Sequence, residues 1–205
     1  MISCVLLSAG LSSRFGSPKA LAPWIGGQTV IGHLQSLLLS SSIDEIIVVV
    51  GAGAENVRPH VLKHKKIRIV YNKDYILGQT SSFRAALPHC SPAAEAVFLL
   101  PVDFPAIQCG TLQSLIAAFH QQKPLILVPV HEGRRGHPPL FRADLLSEFL
   151  ALGDDCGINS VLHRYETDVV DFSVNDEGVL VTFNTPEEFR QIRERAAPEG
   201  PAGTK

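Results

Sequence analysis

Glycine, serine and two cations are concentrated in residues 7–19, of sequence LSAGLSSRFGSPK, directly after an apolar run. Gly10 and Gly16 permit backbone conformations that other residues avoid, and small side chains leave successive N–H groups free to form an anion-binding nest. Arg14 can grip a phosphate through two parallel hydrogen bonds, and Lys19 adds a compact point charge. The turn predicts a site for an anionic ligand such as a polyphosphate; the alternative is a Gly/Ser-rich connection that binds nothing.

Two widespread phosphate-binding motifs do not fit this turn. It lacks the G-x-G-x-x-G dinucleotide fingerprint, and it does not match G-x-x-x-x-G-K-[ST] because Ala20 follows Lys19. The chain also shows no convincing Ser/His/Asp or Cys/His arrangement, so covalent catalysis has no support in the sequence. The expected chemistry is therefore anion binding, with local cations or a metal supplying the positive charge.

A lone carboxylate, Asp103, follows a second apolar run in residues 99–105, LLPVDFP. Magnesium prefers oxygen ligands and takes one or two carboxylates together with substrate phosphates, so Asp103 is the best candidate metal ligand. Capping of the next turn is the alternative role. Asn184 is either a turn residue or the source of an amide oxygen that completes the metal shell opposite Asp103.

Two further segments combine glycine with polar side chains. Residues 78–84, GQTSSFR, open a helix with a row of hydroxyls. Thr80 or Ser81 could cap that helix, or its spare hydroxyls and N–H groups could bind a base or sugar edge. Residues 133–138, GRRGHP, are equally consistent with a solvated hairpin and with an anion-binding loop.

Short apolar runs rich in β-branched residues recur through the first two thirds of the chain, separated by segments with helical spacing. The runs are residues 4–7, 46–50, 67–70, 96–100 and 125–130. Because they are continuous rather than alternating, they predict strands buried on both faces, as in a parallel sheet covered by helices. Alternation of strands and helices predicts a doubly wound α/β sheet, with ligands bound beyond the carboxyl ends of the strands.

The pattern changes after residue 130. Residues 131–141 predict a long loop or hairpin, and residues 168–174 and 178–183 predict two strands around an Asn-Asp-Glu-Gly turn. Thr185, followed by proline and two glutamates, predicts the N-cap of a last helix. We therefore expect a single domain over residues 1–195 and a disordered tail over residues 196–205.

Composition limits the function classes. The chain has 205 residues, of which 45% are hydrophobic and 19% charged, with a net charge of −2. This balance excludes nucleic-acid or membrane binding driven by bulk charge. The four cysteines form no CxxC pair, and no stretch resembles a signal peptide or a membrane span, which predicts a cytoplasmic protein with reduced thiols.

Residues 7–19 resemble the L-A-A-G-x-S-x-R-x-G-x-x-K signature of the MobA-like nucleotidyltransferases, closest to the branch that contains the molybdenum cofactor cytidylyltransferases. Four later segments are similar to family motifs in the same order. They are residues 78–82 for G-x-S-S-S, 102–105 for A-D-Q-P, 133–138 for G-R-R-G-H-P and 184–188 for D-T-P-E-D. The resemblance covers about residues 2–190, which makes chance similarity very improbable.

The resemblance implies a three-layer, Rossmann-like, mostly parallel sheet of the nucleotide-diphospho-sugar transferase type. It also implies Mg²⁺-dependent transfer of a nucleoside monophosphate from an NTP to a phosphorylated small molecule, with release of pyrophosphate. In the cytidylyltransferases the acceptor is molybdopterin carrying molybdenum. Ala9 favours CTP, because the guanylyltransferase branch has glycine there. A molybdoenzyme is the implied docking partner, and no nucleic acid or membrane is expected.

Site residues also follow from the resemblance. Arg14, Lys19 and Asp103 are the implied catalytic residues, with Asp103 and Asn184 at the metal. The implied nucleotide-binding residues are Leu7, Ala9, Gly10, Ser12, Arg14, Lys19, Gly78, Ser81 and Ser82. The implied acceptor-binding residues are Phe104, Arg135, Gly136 and His137.

Several positions depart from the family pattern. Phe104 replaces the usual glutamine, Asn184 replaces an acidic residue, and Asn159 stands where the family often has arginine. These changes leave two alternatives open for the function. One is a sugar or alcohol phosphate as the acceptor, and the other is a non-catalytic, nucleotide-binding carrier of molybdenum cofactor.

Overall fold

In the computed structural model, which describes residues 1–197, an eight-stranded sheet lies between helices on both of its faces. The strands are β1 Ile2–Ser8, β2 Glu45–Val50, β3 Ile67–Tyr71, β4 Ala96–Pro101, β5 Ile126–His131, β6 Arg134–Arg135, β7 Leu140–Arg142 and β8 Val169–Ser173. The helices are α1 Val30–Ser40, α2 Ala54–Val57, α3 Gln79–Ala86, α4 Cys109–Gln122, α5 Leu146–Leu150, α6 Asn159–Arg164 and α7 Pro186–Ala196.

The strand order is β3-β2-β1-β4-β7-β5-β6, and β8 pairs with β5. The pairs β1–β2, β1–β4, β2–β3 and β5–β8 are parallel, whereas β7 is antiparallel to both β4 and β5. The predicted α/β fold, a mostly parallel sheet with helices on both faces, is confirmed.

Strand β1 lies in the middle of the sheet, and all seven of its residues are buried. Its alternate side chains enter two separate cores: Leu6 packs on the face covered by α1, α4 and α7, and Leu7 on the face covered by α3, α5 and α6. A strand covered on both faces has no solvated side, which explains its continuous apolar sequence.

Two adjacent parallel strands bring the main polar segments together. Leu7 of β1 is paired with Pro101 of β4, so both strands end at the same edge of the sheet. The Gly/Ser turn leaves β1 there, and Asp103 follows β4 two residues later. The sheet therefore places the turn beside Asp103.

The predicted pair of strands at residues 168–174 and 178–183 is only half right. Strand β8 forms, but it joins β5 in parallel, and residues 178–183 form no strand. The segment Glu177–Val179 is a short 3-10 helix instead, since the buried Asp176 carboxylate accepts the Gly178 N–H at 2.9 Å. Tertiary contacts of one side chain thus override the local turn signal.

Asp176 fastens this segment to α4. Its carboxylate also accepts the Thr111 hydroxyl at 2.6 Å and the Gln108 N–H at 2.9 Å. We expect Asp176→Ala to lower the free energy of unfolding by about 3 kcal/mol, because it leaves two buried donors and one partly buried donor without acceptors. Urea denaturation measures this loss. A change as small as that of the exposed Asp168→Ala would contradict it.

The structure decides between the two alternatives for residues 131–141 and confirms the predicted cap of the last helix. Of the two alternatives for residues 131–141, the structure contains the hairpin, since β6 pairs antiparallel with β5. Thr185 caps α7 in a capping box with Glu188. Helix α7 extends to Ala196, where the predicted tail begins, and the remainder of that tail lies outside the described residues. None of the helices in residues 1–197 is both long and apolar enough to cross a membrane.

Candidate functional site

The turn after β1 is organised around Ser12. This residue has a φ of 52°, and its carbonyl accepts the N–H groups of Phe15 at 2.9 Å and Gly16 at 3.0 Å. Its hydroxyl accepts the backbone N–H of Lys19 at 3.2 Å. Gly16 has a φ of 83°, a left-handed conformation that favours glycine, as predicted. The same prediction fails at Gly10, whose backbone lies outside the left-handed region and where an added Cβ would meet only open space.

Four of the predicted site residues form one polar cluster at the edge of the sheet. Lys19 Nζ donates to Asp103 Oδ2 at 2.8 Å and to Asn184 Oδ1 at 3.0 Å. Arg14 Nη2 donates to the same Asn184 oxygen at 3.1 Å. The side chains of Lys19 and Asp103 are only 12% and 22% exposed, so their charges are weakly screened by water.

Asn184 is held in place by the start of α7. The Glu188 carboxylate accepts the backbone N–H groups of Asn184 at 2.6 Å and Thr185 at 3.0 Å. These two bonds, with a smaller contribution from Arg14, lower the pKa of Glu188 below its ordinary value. Glu188 therefore fixes the backbone of Asn184 at the start of α7.

An aromatic cluster that the sequence analysis missed packs beneath the cations. The fully buried Phe183 ring contacts Phe15 from the turn at 5.3 Å and Phe189 from α7 at 4.8 Å between centroids. Lys19 Nζ lies 5.3 Å from the Phe183 ring centroid. The cluster joins the turn to α7 and supports Lys19 through a cation–π contact.

The polar cluster lines one side of a cleft of about 390 Å³. Predicted nucleotide-binding residues form much of its wall: Leu7, Ala9, Gly10, Ser12, Arg14, Lys19, Gly78 and Ser82. Tyr75, Ile76 and Gln79, which the sequence analysis did not assign to the site, also line the cleft, from the chain segment that opens α3. Ser81 does not line this cleft.

The start of α3 depends on glycine rather than on a hydroxyl cap. Gly78 is the N-cap with a φ of 92°, so the alternative in which Thr80 or Ser81 caps the helix is wrong. The Ser81 hydroxyl donates to the Gly78 carbonyl at 2.8 Å. Asn72, a buried residue also missed from the sequence, donates to both Ser81 and Ser82 at 3.0 Å. Ser81 is therefore already bonded within the protein.

Two of the four predicted acceptor-binding residues, Arg135 and Gly136, make contacts within the protein. Arg135 forms ion pairs with Asp171 at 2.6 Å and Glu166 at 2.8 Å, and it does not line the cleft. Gly136 packs on the backbone of Val179, where an added Cβ would lie 2.4 Å from the carbonyl oxygen. Arg135 and Gly136 of the segment 133–138 are therefore already engaged in contacts within the protein.

His137 and Phe104 lie nearer the polar cluster. Their ring centroids are 4.4 Å apart, and the buried His137 Nδ1 has no hydrogen-bond partner within residues 1–197. Burial lowers the pKa of His137, while Asp103 and the Leu99 backbone oppose that shift. An imidazole and a phenyl ring thus adjoin Asp103.

This arrangement suits binding of a polyphosphate and a divalent cation. Arg14 and Lys19 offer several N–H donors, whereas Asp103 and Asn184 offer oxygen. Within residues 1–197, no three His, Cys, Asp or Glu side chains come close enough to hold a metal ion by themselves. The oxygen donors fit magnesium, which completes its coordination with water and substrate phosphates.

Comparison with known proteins identifies relatives along nearly the whole chain. The family model for the MobA-like NTP transferase domain matches residues 4–169. The molybdenum cofactor cytidylyltransferase of Escherichia coli K12 is 26% identical over 194 residues, which cover 95% of this chain and 96% of that protein. The bifunctional protein GlmU of Stutzerimonas stutzeri is 32% identical over 69% of this chain, which spans only 30% of that protein.

Two solved structures share the architecture. The Rv0371c homologue from Mycobacterium sp. strain JC1 has a TM-score of 0.83 and 27% identity, covering 95% of this chain and 96% of its own. The complex of Rv0371c with manganese from Mycobacterium tuberculosis H37Rv has a TM-score of 0.76 and 25% identity, with coverages of 94% and 97%.

Proposed function

Because this chain belongs to the MobA-like NTP transferase family, we propose that it transfers CMP from CTP to a phosphorylated acceptor of the molybdopterin type and releases pyrophosphate. The observation that carries the proposal is the cluster of Arg14, Lys19, Asp103 and Asn184 on the wall of the cleft. Two cations, one carboxylate and one amide in that arrangement can hold a triphosphate together with a metal ion.

The proposed reaction is an in-line displacement at the α-phosphate. An oxygen of the acceptor's terminal phosphate forms a bond to the α-phosphorus, and the bond from that phosphorus to the bridging oxygen of pyrophosphate breaks. Lys19 and Arg14 stabilise the negative charge that grows on the α-phosphate and on the leaving pyrophosphate. Little covalent chemistry is required of the protein, which agrees with the absence of a convincing Ser/His/Asp or Cys/His arrangement from its sequence.

Asp103 and Asn184 are the proposed protein ligands of a divalent metal. Mg²⁺ bound there would act as a Lewis acid on the phosphate oxygens. The manganese complex of a structural relative supports a divalent ion in this fold. Lys19 donates to Asp103 Oδ2 and to Asn184 Oδ1, so a divalent ion held by these two oxygens would compete with the Lys19 ammonium for them.

The cytosine preference rests on Ala9 and on the E. coli relative, which is a cytidylyltransferase. Ala9, Leu7 and Ser12 belong to the β1 side of the cleft, and Gly78 and Ser82 belong to the α3 side. We propose that the base and ribose lie between these two sides. Ser81 would then act by orienting the α3 segment rather than by direct contact.

Calorimetric titration of each NTP tests the nucleotide half of the proposal. With Mg²⁺ or Mn²⁺ present, CTP should bind more tightly than GTP, ATP or UTP. Lys19→Ala should weaken binding of CTP, and the exposed Lys123→Ala should leave it unchanged. Absence of binding by every NTP would contradict the proposal.

Phe104 is the proposed contact for the acceptor. It follows Asp103 directly and packs on His137, and the family resemblance places glutamine there. We expect Phe104→Gln to change the acceptor KM by about tenfold, because a polar amide replaces an apolar contact, while the CTP dissociation constant stays the same. Steady-state kinetics with varied acceptor, together with CTP titration, measure the two effects.

Phe104→Leu is the matched control, since it keeps an apolar side chain against His137. It should change the acceptor KM less than Phe104→Gln does. A weakened affinity for CTP in Phe104→Gln with an unchanged acceptor KM would place this residue at the nucleotide instead.

A further inference from the structure

Among the strands of residues 1–197, β3 is the outermost on one side of the sheet and pairs only with β2. At its two ends the Lys66 carbonyl accepts the Ile46 N–H at 2.8 Å, and the Asn72 N–H donates to the Val50 carbonyl at 2.9 Å. A strand in a parallel pair bonds to its neighbour through every second residue. The intervening residues of β3 therefore direct their backbone groups away from the sheet.

Those outward residues are Ile67, Ile69 and Tyr71. The Ile67 N–H is used locally, since it donates to the His64 carbonyl at 2.9 Å. Within residues 1–197, no other segment or side chain bonds the outward N–H groups of Ile69 and Tyr71. These two residues thus present two donors and two acceptors to solvent in the spacing of a strand.

Apolar side chains accompany this open backbone. Ile69 is 40% exposed and Tyr71 is 51% exposed, and because they are two residues apart in a strand their side chains lie on the same face of the sheet. Leu62 is 41% exposed in the segment before the strand. The Arg58 guanidinium lies 5.7 Å from the Tyr71 ring centroid. Long, open strands with exposed apolar residues are usually avoided unless something pairs with them.

Positive charge predominates at this edge, although the acidic Asp74 follows the segment 58–73 directly. Residues 58–73 contain six of the chain's 18 Lys and Arg residues and none of its 20 Asp and Glu residues, although the net charge of the chain is −2. Lys63, Lys65 and Lys73 are exposed and form no ion pair within residues 1–197. Glu45 is the acidic neighbour from β2, and it lies 3.9 Å from Arg68.

We propose that this edge binds an extended, acidic segment of a partner protein, which adds to the sheet as a strand beside β3. Backbone groups of Ile69 and Tyr71 would pair with the segment, in the manner of known strand-addition complexes. The lysines select carboxylates on the partner and would raise the association rate. A second copy of this chain is disfavoured, because it would bring the same cations face to face.

Strand β3 is connected directly to the wall of the cleft. The chain continues from β3 to Tyr75 and Ile76, which line the cleft. A bound partner would therefore lie beside the entrance of the proposed nucleotide site. This inference does not depend on the identity of the acceptor.

A labelled synthetic peptide of ten alternating glutamates and valines is the probe. Fluorescence anisotropy should show binding at 50 mM salt that weakens about tenfold at 200 mM and is at least about tenfold tighter than that of the lysine–valine counterpart. Amide resonances of Ile69 and Tyr71 should shift on titration. Shifts confined to the cleft, or equal binding of both peptides, would overturn the proposal.

Two variants separate backbone pairing from charge. Ile69→Pro removes an outward N–H that β2 does not use, together with its amide resonance, and it should abolish the shift of the remaining Tyr71 amide. Lys63→Glu with Lys65→Glu should weaken peptide binding at least about tenfold, whereas Arg134→Glu with Arg195→Glu, an equal change of net charge elsewhere, should not.

Competition with other polyanions completes the test. A single-stranded RNA oligonucleotide and phosphatidylserine vesicles should displace the peptide poorly, because neither offers a strand backbone. Tighter binding of RNA or vesicles than of the acidic peptide would overturn the proposal, as would concentration-dependent dimers that disappear in Ile69→Pro.

Discussion

Replacing Lys19 by alanine is expected to lower turnover by at least about 100-fold, the loss typical for removal of one group that stabilises transition-state charge. Lys19 Nζ lies 2.8 Å from Asp103 and 3.0 Å from Asn184, and its side chain is only 12% exposed. A cation in such surroundings is poorly screened, so its interaction with a phosphate is stronger than at the surface. Single-turnover release of pyrophosphate measures the effect.

Lys123→Ala is the matched control, because Lys123 is an exposed lysine whose partner is Glu95, away from the cleft. It should retain normal turnover. Thermal unfolding of both variants shows whether the fold is intact. Near-normal turnover in a folded Lys19→Ala protein would contradict the proposed role of Lys19 at the triphosphate.

Asp103→Ala is expected to cost at least about 100-fold in turnover as well, for a different reason. Of the residues 1–197 that line the cleft, Asp103 is the one acidic side chain, so its loss removes an anionic ligand for a divalent metal. Activity of the variant should require a higher metal concentration, whereas loss of Lys19 should leave the metal dependence largely unchanged.

Asp103→Asn keeps the shape of the side chain and removes only its charge, so it should be nearly as impaired as Asp103→Ala. The exposed Asp168→Asn is the control for charge loss elsewhere. If Asp103→Asn kept most of the activity, a charged metal ligand at this position would not be needed.

The sequence was sufficient to predict those elements whose structure is decided by one local pattern. The buried run before the Gly/Ser turn, the strand before Asp103 and the Thr185 capping box all form as predicted. Adjacent parallel strands then bring the turn and Asp103 together, because Leu7 pairs with Pro101. The doubly wound pattern therefore agrees with the position of the turn beyond the carboxyl end of a strand, whereas its closeness to Asp103 became visible only in the structure.

The sequence was insufficient to predict those segments whose structure is decided by contacts with residues distant along the chain. The turn at Asp176 resembles a hairpin turn, but its carboxylate bonds α4 and directs the chain into a short 3-10 helix. Arg135 resembles an anion-binding residue, yet Asp171 and Glu166 pair with it. Charge counted along the chain does not show which cations are already neutralised.

The aromatic cluster beneath the site was not predicted from the sequence either. Phe15, Phe183 and Phe189 come from three separate segments, and only the fold shows that they form one cluster below Lys19. In its own segment, each phenylalanine is spaced like an ordinary core residue. The sequence signal that points to the cluster is that Phe15 follows Arg14 and Phe183 precedes Asn184.

Pyrophosphate release with each of the four NTPs, with and without molybdenum-loaded molybdopterin, tests the central claim most directly. Mg²⁺ and Mn²⁺ are tried in turn, and Asp103→Ala is the control. Release from CTP that requires the molybdopterin and disappears in Asp103→Ala is the predicted result. No release from any NTP, in a protein that still binds nucleotide, would contradict nucleotidyl transfer to this acceptor and would favour another phosphorylated acceptor or a carrier role.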